Sequence, residues 1–255
     1  MTTPDSDPLA AFYAAFSADP VLREFYGDSG YANVGYWRSD TASAAQACDD
    51  LVDELLGPVP ASTAAVLDVA CGAGATTRRI AERLQPQSLV GIGLGADSLA
   101  SARRRAPTAH FARMDAARLA FESECFDAVV CVEAAFHFDT RARFLSEALR
   151  VLKPGGALVL SDLLLARGTP LAPDENHLAS PAAYARLLTR VGFGAVTLTD
   201  VTPATWRAYR RRLTAFIVRR GRLGAIALRD LLAANVALAW AVRHCVLVSA
   251  RKPAD

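Results

Sequence analysis

Two residues with acid–base potential, His137 and Asp162, lie close to the ends of apolar segments of this sequence. His137 follows the run from 126 to 132, and Asp162 lies at the end of the run from 157 to 163. An imidazole with a pKa near 6.5 can take the proton of a hydroxyl group at neutral pH, and a carboxylate can orient the imidazole or the hydroxyl. Both residues also have a structural interpretation, as packing or capping groups at a sheet edge. We predict catalytic roles for both, with His137 as the general base.

A glycine turn earlier in the chain predicts where a cofactor binds. Apart from Asp68, the residues from Val66 to Ala70 are apolar, as in a buried parallel strand, and Gly72 and Gly74 break that run before a helical pattern begins. Glycines permit positive φ and let a ligand touch bare backbone, while the following helix N-terminus offers N–H groups to a carboxylate or phosphate. A dinucleotide site would place a third small residue where Thr77 stands.

The spacing Asp68-x-x-Cys71-Gly72-x-Gly74 resembles the cofactor loop of the class I S-adenosylmethionine-dependent methyltransferases. Further segments match that family in order, namely 115–121, 126–129 followed by Glu133, 150–156 and the closing 246–253. The resemblance implies S-adenosyl-L-methionine as the cofactor. With the aromatic segment 35–37, His137 and Ser161-Asp162 it implies, more narrowly, methyl transfer to a small molecule of bacterial secondary metabolism. A hydroxyl oxygen is the expected acceptor, and carbon and nitrogen stay open as alternatives.

The same resemblance implies which residues contact the cofactor. They are Asp68, Ala70, Gly72, Gly74, Leu94, Asp115, Ala116, Glu133, Tyr36 and Trp37. Asp68 is expected to brace the glycine loop, and Asp115 to receive the adenine amino group. Tyr36 and Trp37 have two compatible interpretations, since they can close over a ligand or staple an N-terminal arm to the domain.

One position departs from the family pattern. Many members carry an acid at the end of the second strand that holds both ribose hydroxyls, and Gly93 stands there in this chain. We therefore expect backbone groups near Leu94, or water, to meet the ribose. The departure keeps open a methyltransferase-fold enzyme with a non-methylating reaction such as cyclisation. A second alternative, an RNA methyltransferase, rests on an arginine cluster between 207 and 222.

Alternating strand and helix patterns predict an α/β fold, a Rossmann-like, mostly parallel seven-stranded sheet with helices on both faces. We predict an N-terminal helical arm over 1–60 and a methyltransferase domain over 61–255, with a helical cap at about 203–240. That cap is expected in two pieces broken near Gly221 and Gly224, and Asp97 is expected to cap the helix that runs to Ala106.

Composition limits the partners. The 255 residues carry a formal net charge of +2, which does not favour a dedicated nucleic-acid binder. Charged residues interrupt the apolar stretch from 225 to 250, so we expect a soluble protein without a membrane partner. Five cysteines without a C-x-x-C pair give no metal signal and suit a reducing, cytoplasmic location. The expected partner is a small-molecule substrate, with the arginine cluster pointing to an anionic one. A homo-oligomer is a further expectation.

Overall fold

The computed structural model describes Tyr13, Phe16 and residues 18–170, 172–220 and 240–254. These residues form one seven-stranded sheet in the order β3-β2-β1-β4-β5-β7-β6. The strands are β1 Ala65–Val69, β2 Ser88–Gly93, β3 His110–Arg113, β4 Phe126–Val132, β5 Leu152–Leu165, β6 Gly194–Asp200 and β7 Val242–Arg251. Strands β1 to β5 pair in parallel, whereas β7 runs antiparallel to both β5 and β6. The predicted fold class is confirmed.

Helices cover the sheet on both sides. Those within the described residues are α1 Pro20–Tyr26, α2 Ala44–Leu56, α3 Ala75–Leu84, α4 Ala96–Arg105, α5 Arg141–Val151, α6 Pro181–Val191 and α7 Ala208–Arg220. A π-helical turn, Pro203–Arg207, leads into α7, and short 3-10 turns occupy Gly27–Ser29, Ala135–His137 and Asp174–Asn176. Within the residues described, no helix combines the length and apolar character that a membrane crossing requires.

Two apolar layers lie on opposite faces of the sheet because strand residues alternate between them. On β1, Val66 belongs to the cluster that contains residues of α2 and α7, whereas Leu67 belongs to the cluster that contains residues of α5 and α6. Strand β4 lies at the centre of the sheet, as its apolar run Phe126–Val132 predicts.

The boundaries differ from expectation in three places. The run Lys153-Pro154-Gly155-Gly156, whose proline and glycines are typical of a turn, belongs to β5, which begins at Leu152. Helix α4 has Gly95 as its N-cap, so Asp97 lies in the first turn instead of capping it. Helix α1 was not predicted, although Asp19 caps it through the N–H groups of residues 21 and 22 and Pro20 opens it.

The division into arm, domain and cap stays a prediction. Within the described residues the arm and the cap pack on each other, because the ring of Phe25 lies 5.9 Å from that of Tyr209 and 5.4 Å from that of Phe216. The second helical piece expected for the cap lies outside the described residues, as does most of the apolar piece expected over 9–16.

Candidate active site

The glycine loop leaves β1 in a conformation that ordinary residues rarely adopt. Ala70, Gly72 and Gly74 have φ values of 59°, 52° and 84°, respectively. The Cys71 N–H donates to Ile92 O on β2, and the Gly74 N–H donates to Cys71 O, both over 2.9 Å. Positive φ angles clustered at a strand end are typical of a ligand-binding turn. The strained residue here is Ala70, because it has a side chain, and such strain persists only where packing or a ligand stabilises the turn.

Glycine is needed at positions 72 and 74 for different physical reasons. A Cβ at Gly74 would lie 2.6 Å from the Ala102 Cα, so this residue allows α3 to pack against α4. A Cβ at Gly72 would meet nothing within 4 Å, so this residue presents bare backbone to open space. Gly74 caps α3 without a side-chain hydrogen bond, which leaves the first N–H groups of the helix for an anionic ligand.

Asp68 holds the loop from below. It is 1% exposed, and its Oδ2 accepts a 2.6 Å hydrogen bond from the Thr77 hydroxyl on α3. Burial raises the pKa of Asp68 to about 7, and the Thr77 bond works in the opposite direction. Asp68 therefore joins β1 to α3 across the turn, which accords with the bracing role predicted for it.

The carboxyl ends of β2 and β3 lie at the same edge of the sheet as the glycine loop, and the space beside them is open. At Gly93 a Cβ would find only the Leu99 Cδ2 at 3.8 Å and the Cys71 Sγ at 4.0 Å, which are ordinary contacts. Packing therefore does not exclude an acid at this position. Leu94 is 53% exposed, Asp115 is exposed with its Oδ1 accepting from the Ala117 N–H, and Ala116 is buried.

Glu133 leaves β4 with a φ of 48° and turns its carboxylate toward the arm. Its Oε2 accepts a 3.0 Å hydrogen bond from the Val34 N–H, and its own N–H donates to Ser161 O on β5. Burial of the carboxyl group raises its pKa to about 8, the Val34 bond opposes the shift, and the charge of Asp162 adds to it. Glu133 therefore fastens the arm to the sheet edge.

His137 ends the 3-10 turn after β4 and is partly buried. Its Nε2 lies 2.8 Å from the hydroxyl of Tyr13, and the two rings meet edge to face at 5.6 Å. Burial, with a smaller contribution from the charge of Glu133, raises the pKa of the Tyr13 phenol well above its ordinary value. The phenol therefore stays protonated, and its hydroxyl shares a hydrogen bond with Nε2 whose direction depends on the tautomer of the imidazole.

Asp162 lies in a buried network next to His137. Its Oδ2 accepts from the Arg141 Nε at 2.7 Å and the Tyr184 hydroxyl at 2.8 Å. Its Oδ1 accepts from the Phe136 N–H at 3.1 Å and the Leu163 N–H at 2.9 Å. Through Phe136, Asp162 fixes the turn that carries His137, so the arrangement gives it a positioning function.

Arg141 and Asn176 complete that network. The Arg141 guanidinium also donates to the carbonyl oxygens of Asn176 and Leu163, and the Asn176 side chain binds the carbonyl oxygens of Phe136 and Phe138. Three of these four hydrogen bonds end on residues 136–138 or on β5, and the fourth joins Arg141 to Asn176 itself. The network thus makes the position of His137 rigid.

The aromatic segment 35–37 attaches the arm. Trp37 is 9% exposed, donates from Nε1 to Val34 O over 2.8 Å, and has the Arg212 guanidinium 5.6 Å from its ring centroid. Its N–H donates to Ala204 O in the cap. Tyr36 is only partly buried. The structure therefore gives Trp37 the stapling role, while Tyr36 remains a candidate ligand contact.

Sequence reasoning missed Tyr13, Arg141, Tyr184 and Asn176. Tyr13 is 124 positions from His137 along the chain, and Arg141 is 21 positions from Asp162. The only available signal was an arginine and a tyrosine at inward positions of otherwise apolar helix faces, which predicts a buried partner of opposite charge without naming it.

Comparison with known proteins shows which family this chain belongs to. Residues 67–160 match the family model described as "Methyltransferase domain". Over 208 residues the chain is 31% identical to the 27-O-demethylrifamycin SV methyltransferase of Amycolatopsis mediterranei, which covers 79% of this chain and 71% of that protein. The chain belongs to the class I S-adenosylmethionine-dependent methyltransferases. The predicted cofactor, S-adenosyl-L-methionine, is the cofactor of this family.

Other relatives match in part. The erythromycin 3''-O-methyltransferase of Saccharopolyspora erythraea is 32% identical over 159 residues, which cover 60% of this chain and 51% of that protein. A phthiotriol/phenolphthiotriol dimycocerosates methyltransferase of Mycobacterium ulcerans is 41% identical over 100 residues, 38% of this chain and 37% of that protein. The chain thus spans about half or less of these two methyltransferases.

Solved structures share the fold at lower identity. The [4+2]-cyclase SpnF superposes with a TM-score of 0.74 at 24% identity, with 96% of each chain covered. The cyclopropane synthase MmaA2 from Mycobacterium tuberculosis gives 0.77 at 15% identity, with 98% of this chain and 100% of the other covered. At these identities the likeness concerns the fold alone.

The residues present fit the family's cofactor. The open backbone at Gly72 and the N–H groups at the start of α3 suit the carboxylate of the cofactor's amino-acid tail, and the space beside Gly93 suits a ribose. Gly72, Leu94 and Asp115 are all exposed along this edge, and Glu133 and His137 are partly exposed beside it.

Proposed function

We propose that this methyltransferase transfers a methyl group from S-adenosyl-L-methionine to a hydroxyl oxygen of a small molecule, in secondary metabolism. The observation that carries the proposal is the hydrogen-bonded pair Tyr13–His137. His137 follows β4, which is the neighbour of β1 in the sheet, and the glycine loop follows β1. When bound, the cofactor supplies a methyl group already activated by its sulfonium charge. The protein has to hold the acceptor in line and remove one proton.

The tail of the cofactor would rest on Gly72, Gly74 and the first turn of α3, and its base would lie near Asp115. Asp68 and Glu133 would support the cofactor side of the site, and neither would act as a second base. The Asp68 carboxylate accepts from the Thr77 hydroxyl, and the Glu133 carboxylate accepts from the Val34 N–H. The assignment of Ala70, Leu94, Ala116 and Tyr36 as further contacts is part of this proposal.

The proton of the acceptor leaves through Tyr13 to His137. As the acceptor oxygen forms its new bond, its proton passes to the Tyr13 oxygen, and the Tyr13 proton passes to Nε2 of His137, which becomes imidazolium. The 2.8 Å separation of the two groups suits this transfer. Asp162 does not take the proton in this scheme, because its oxygens accept from Arg141, Tyr184 and two backbone N–H groups.

The relatives' names guide the choice of acceptors. The matched enzymes are named for erythromycin and rifamycin substrates, so hydroxylated macrolides and ansamycins are the first compounds to try. An anionic acceptor, a homo-oligomer and a cytoplasmic location stay predictions. Arg207 in the π-helical turn and Arg211 and Arg219 on α7 are exposed to solvent.

The test is incubation of the full chain with S-adenosylmethionine and such a panel, followed by mass spectrometry and titration with S-adenosylhomocysteine. The proposal expects binding of S-adenosylhomocysteine and a product heavier than its acceptor by one CH2 group. A converted product of unchanged mass would show a non-methylating enzyme, and absence of S-adenosylhomocysteine binding would refute the proposal altogether.

A further inference from the structure

The charge of this chain is concentrated in one segment. Residues 203–229 contain eight arginines and no Asp, Glu or Lys, although the whole chain has a formal net charge of only +2. The rest of the chain therefore carries a net charge of −6. Such asymmetry is a physical argument about what a surface binds, since it produces a local positive potential that the total charge conceals.

The arginines of this segment that the structure describes divide into two groups. Three have partners within the protein: Arg210 lies over the Trp206 ring, Arg212 over the Trp37 ring, and Arg220 pairs with Glu24. Arg212 and Arg220 hold α7 on the N-terminal arm, whereas the contact of Arg210 lies within the cap itself. Arg207, Arg211 and Arg219 are exposed and make no ion pair or ring contact with any residue in the described ranges.

The unpaired arginines share their side of the cap with apolar residues. Arg211, Ala215, Val218 and Arg219 fall within a sector of about 100° at 3.6 residues per turn, and all four are exposed. Val218 is 59% exposed and Trp240 is 72% exposed, two of the three large apolar residues that stand out from the described surface. The opposite side of α7, with Leu213 and Ile217, is buried in the cluster that also contains Val242.

We propose that this exposed face of the cap, with Arg207 of the π-helical turn and Arg211, Val218 and Arg219 of α7, docks on an anionic lipid bilayer, with Trp240 as a second contact. Guanidinium groups bind lipid phosphates, while isolated apolar side chains among them enter the headgroup boundary. Tryptophan is enriched at that depth. Val218 favours a bilayer over nucleic acid, because an aliphatic side chain among the arginines gains from entering the headgroup boundary and offers no ring to a base, whereas Trp240 suits either partner.

The experiment is flotation of the full chain with vesicles of phosphatidylcholine alone and of phosphatidylcholine with about one third phosphatidylglycerol. We expect binding only to the anionic vesicles, and its loss at high salt. The variant R207Q/R211Q/R219Q should bind about 100-fold more weakly, from roughly 1 kcal/mol per basic residue near such a surface. V218D should weaken binding through both the lost apolar contact and the added negative charge, whereas V218N, which removes the apolar side chain without adding charge, should weaken binding at unchanged salt dependence.

A matched control removes the same charge from the opposite face of the sheet. R143Q/R186Q/R190Q alters arginines on α5 and α6 and should bind the anionic vesicles like the unmodified chain. Equal weakening in the two triple variants, equal binding to both vesicle types, or an unchanged V218D would overturn the proposal. Tighter binding to a single-stranded RNA 20-mer than to anionic vesicles would assign the face to nucleic acid instead. Circular dichroism confirms that each variant is folded, and methyl transfer to a soluble acceptor is independent of this result.

Discussion

The two halves of the carboxyl edge are built in different ways. The half formed by β1, β2 and β3 depends on backbone conformation: three positive φ angles, an uncapped helix and a bare glycine within residues 70–75. The half formed by β4 and β5 depends on side chains brought from distant parts of the chain, such as Tyr13 on His137 and Arg141 on Asp162. The first half is suited to a cofactor common to a family, and the second can change its acceptor by changing side chains.

The largest expected effect breaks the acceptor half alone. H137Q and Y13F should each lower kcat for methyl transfer by roughly 10²–10⁴-fold, because each removes one member of the proton path. The double variant should lose little more than either single variant, since the two residues act as a unit. Steady-state kinetics with an identified acceptor measure this.

H110Q is the control for these variants, because His110 is an exposed residue at the start of β3. It should leave kcat unchanged. If Y13F retains full activity while H137Q does not, Tyr13 is outside the proton path and the relay is wrong.

The difference between the halves explains what sequence reasoning reached. The glycine loop, Asp68 and the end of β2 are contiguous or follow strand by strand, so spacing alone locates them. Tyr13 and the partners of Asp162 come together only when the arm and α5 fold onto the sheet, and no periodicity encodes those pairs. Glu133 was placed at the edge by its position after β4, but its bond to Val34 depends on the path of the arm.

The next effect concerns the rigidity of the acceptor half. R141A leaves Asp162 buried without its cation, which should lower the free energy of unfolding by about 3–5 kcal/mol. Urea unfolding followed by fluorescence measures it. R143A, which removes an exposed pair with Asp139, should cost about 0.5 kcal/mol or less. Equal losses in the two variants would show that the network around Asp162 contributes no special stability.

A smaller effect sharpens the cofactor half. G93D should tighten S-adenosylhomocysteine binding on the order of tenfold, because the space beside Gly93 admits a carboxylate and a charged hydrogen bond to a ribose hydroxyl is worth about 1.5–3 kcal/mol. G93A fills the same space without a charge and should bind as the unmodified chain does. Weaker binding by G93D than by G93A would place the ribose elsewhere.

The most direct test of the account is titration of S-adenosylhomocysteine into two variants, one from each half. G72V puts a side chain into the open space above the glycine loop, and H137Q alters the acceptor half. The account predicts that G72V, confirmed folded, binds at least tenfold more weakly than the unmodified chain, while H137Q binds within twofold of it. Unchanged binding by G72V, or a large loss in H137Q, would contradict the assignment of the two halves.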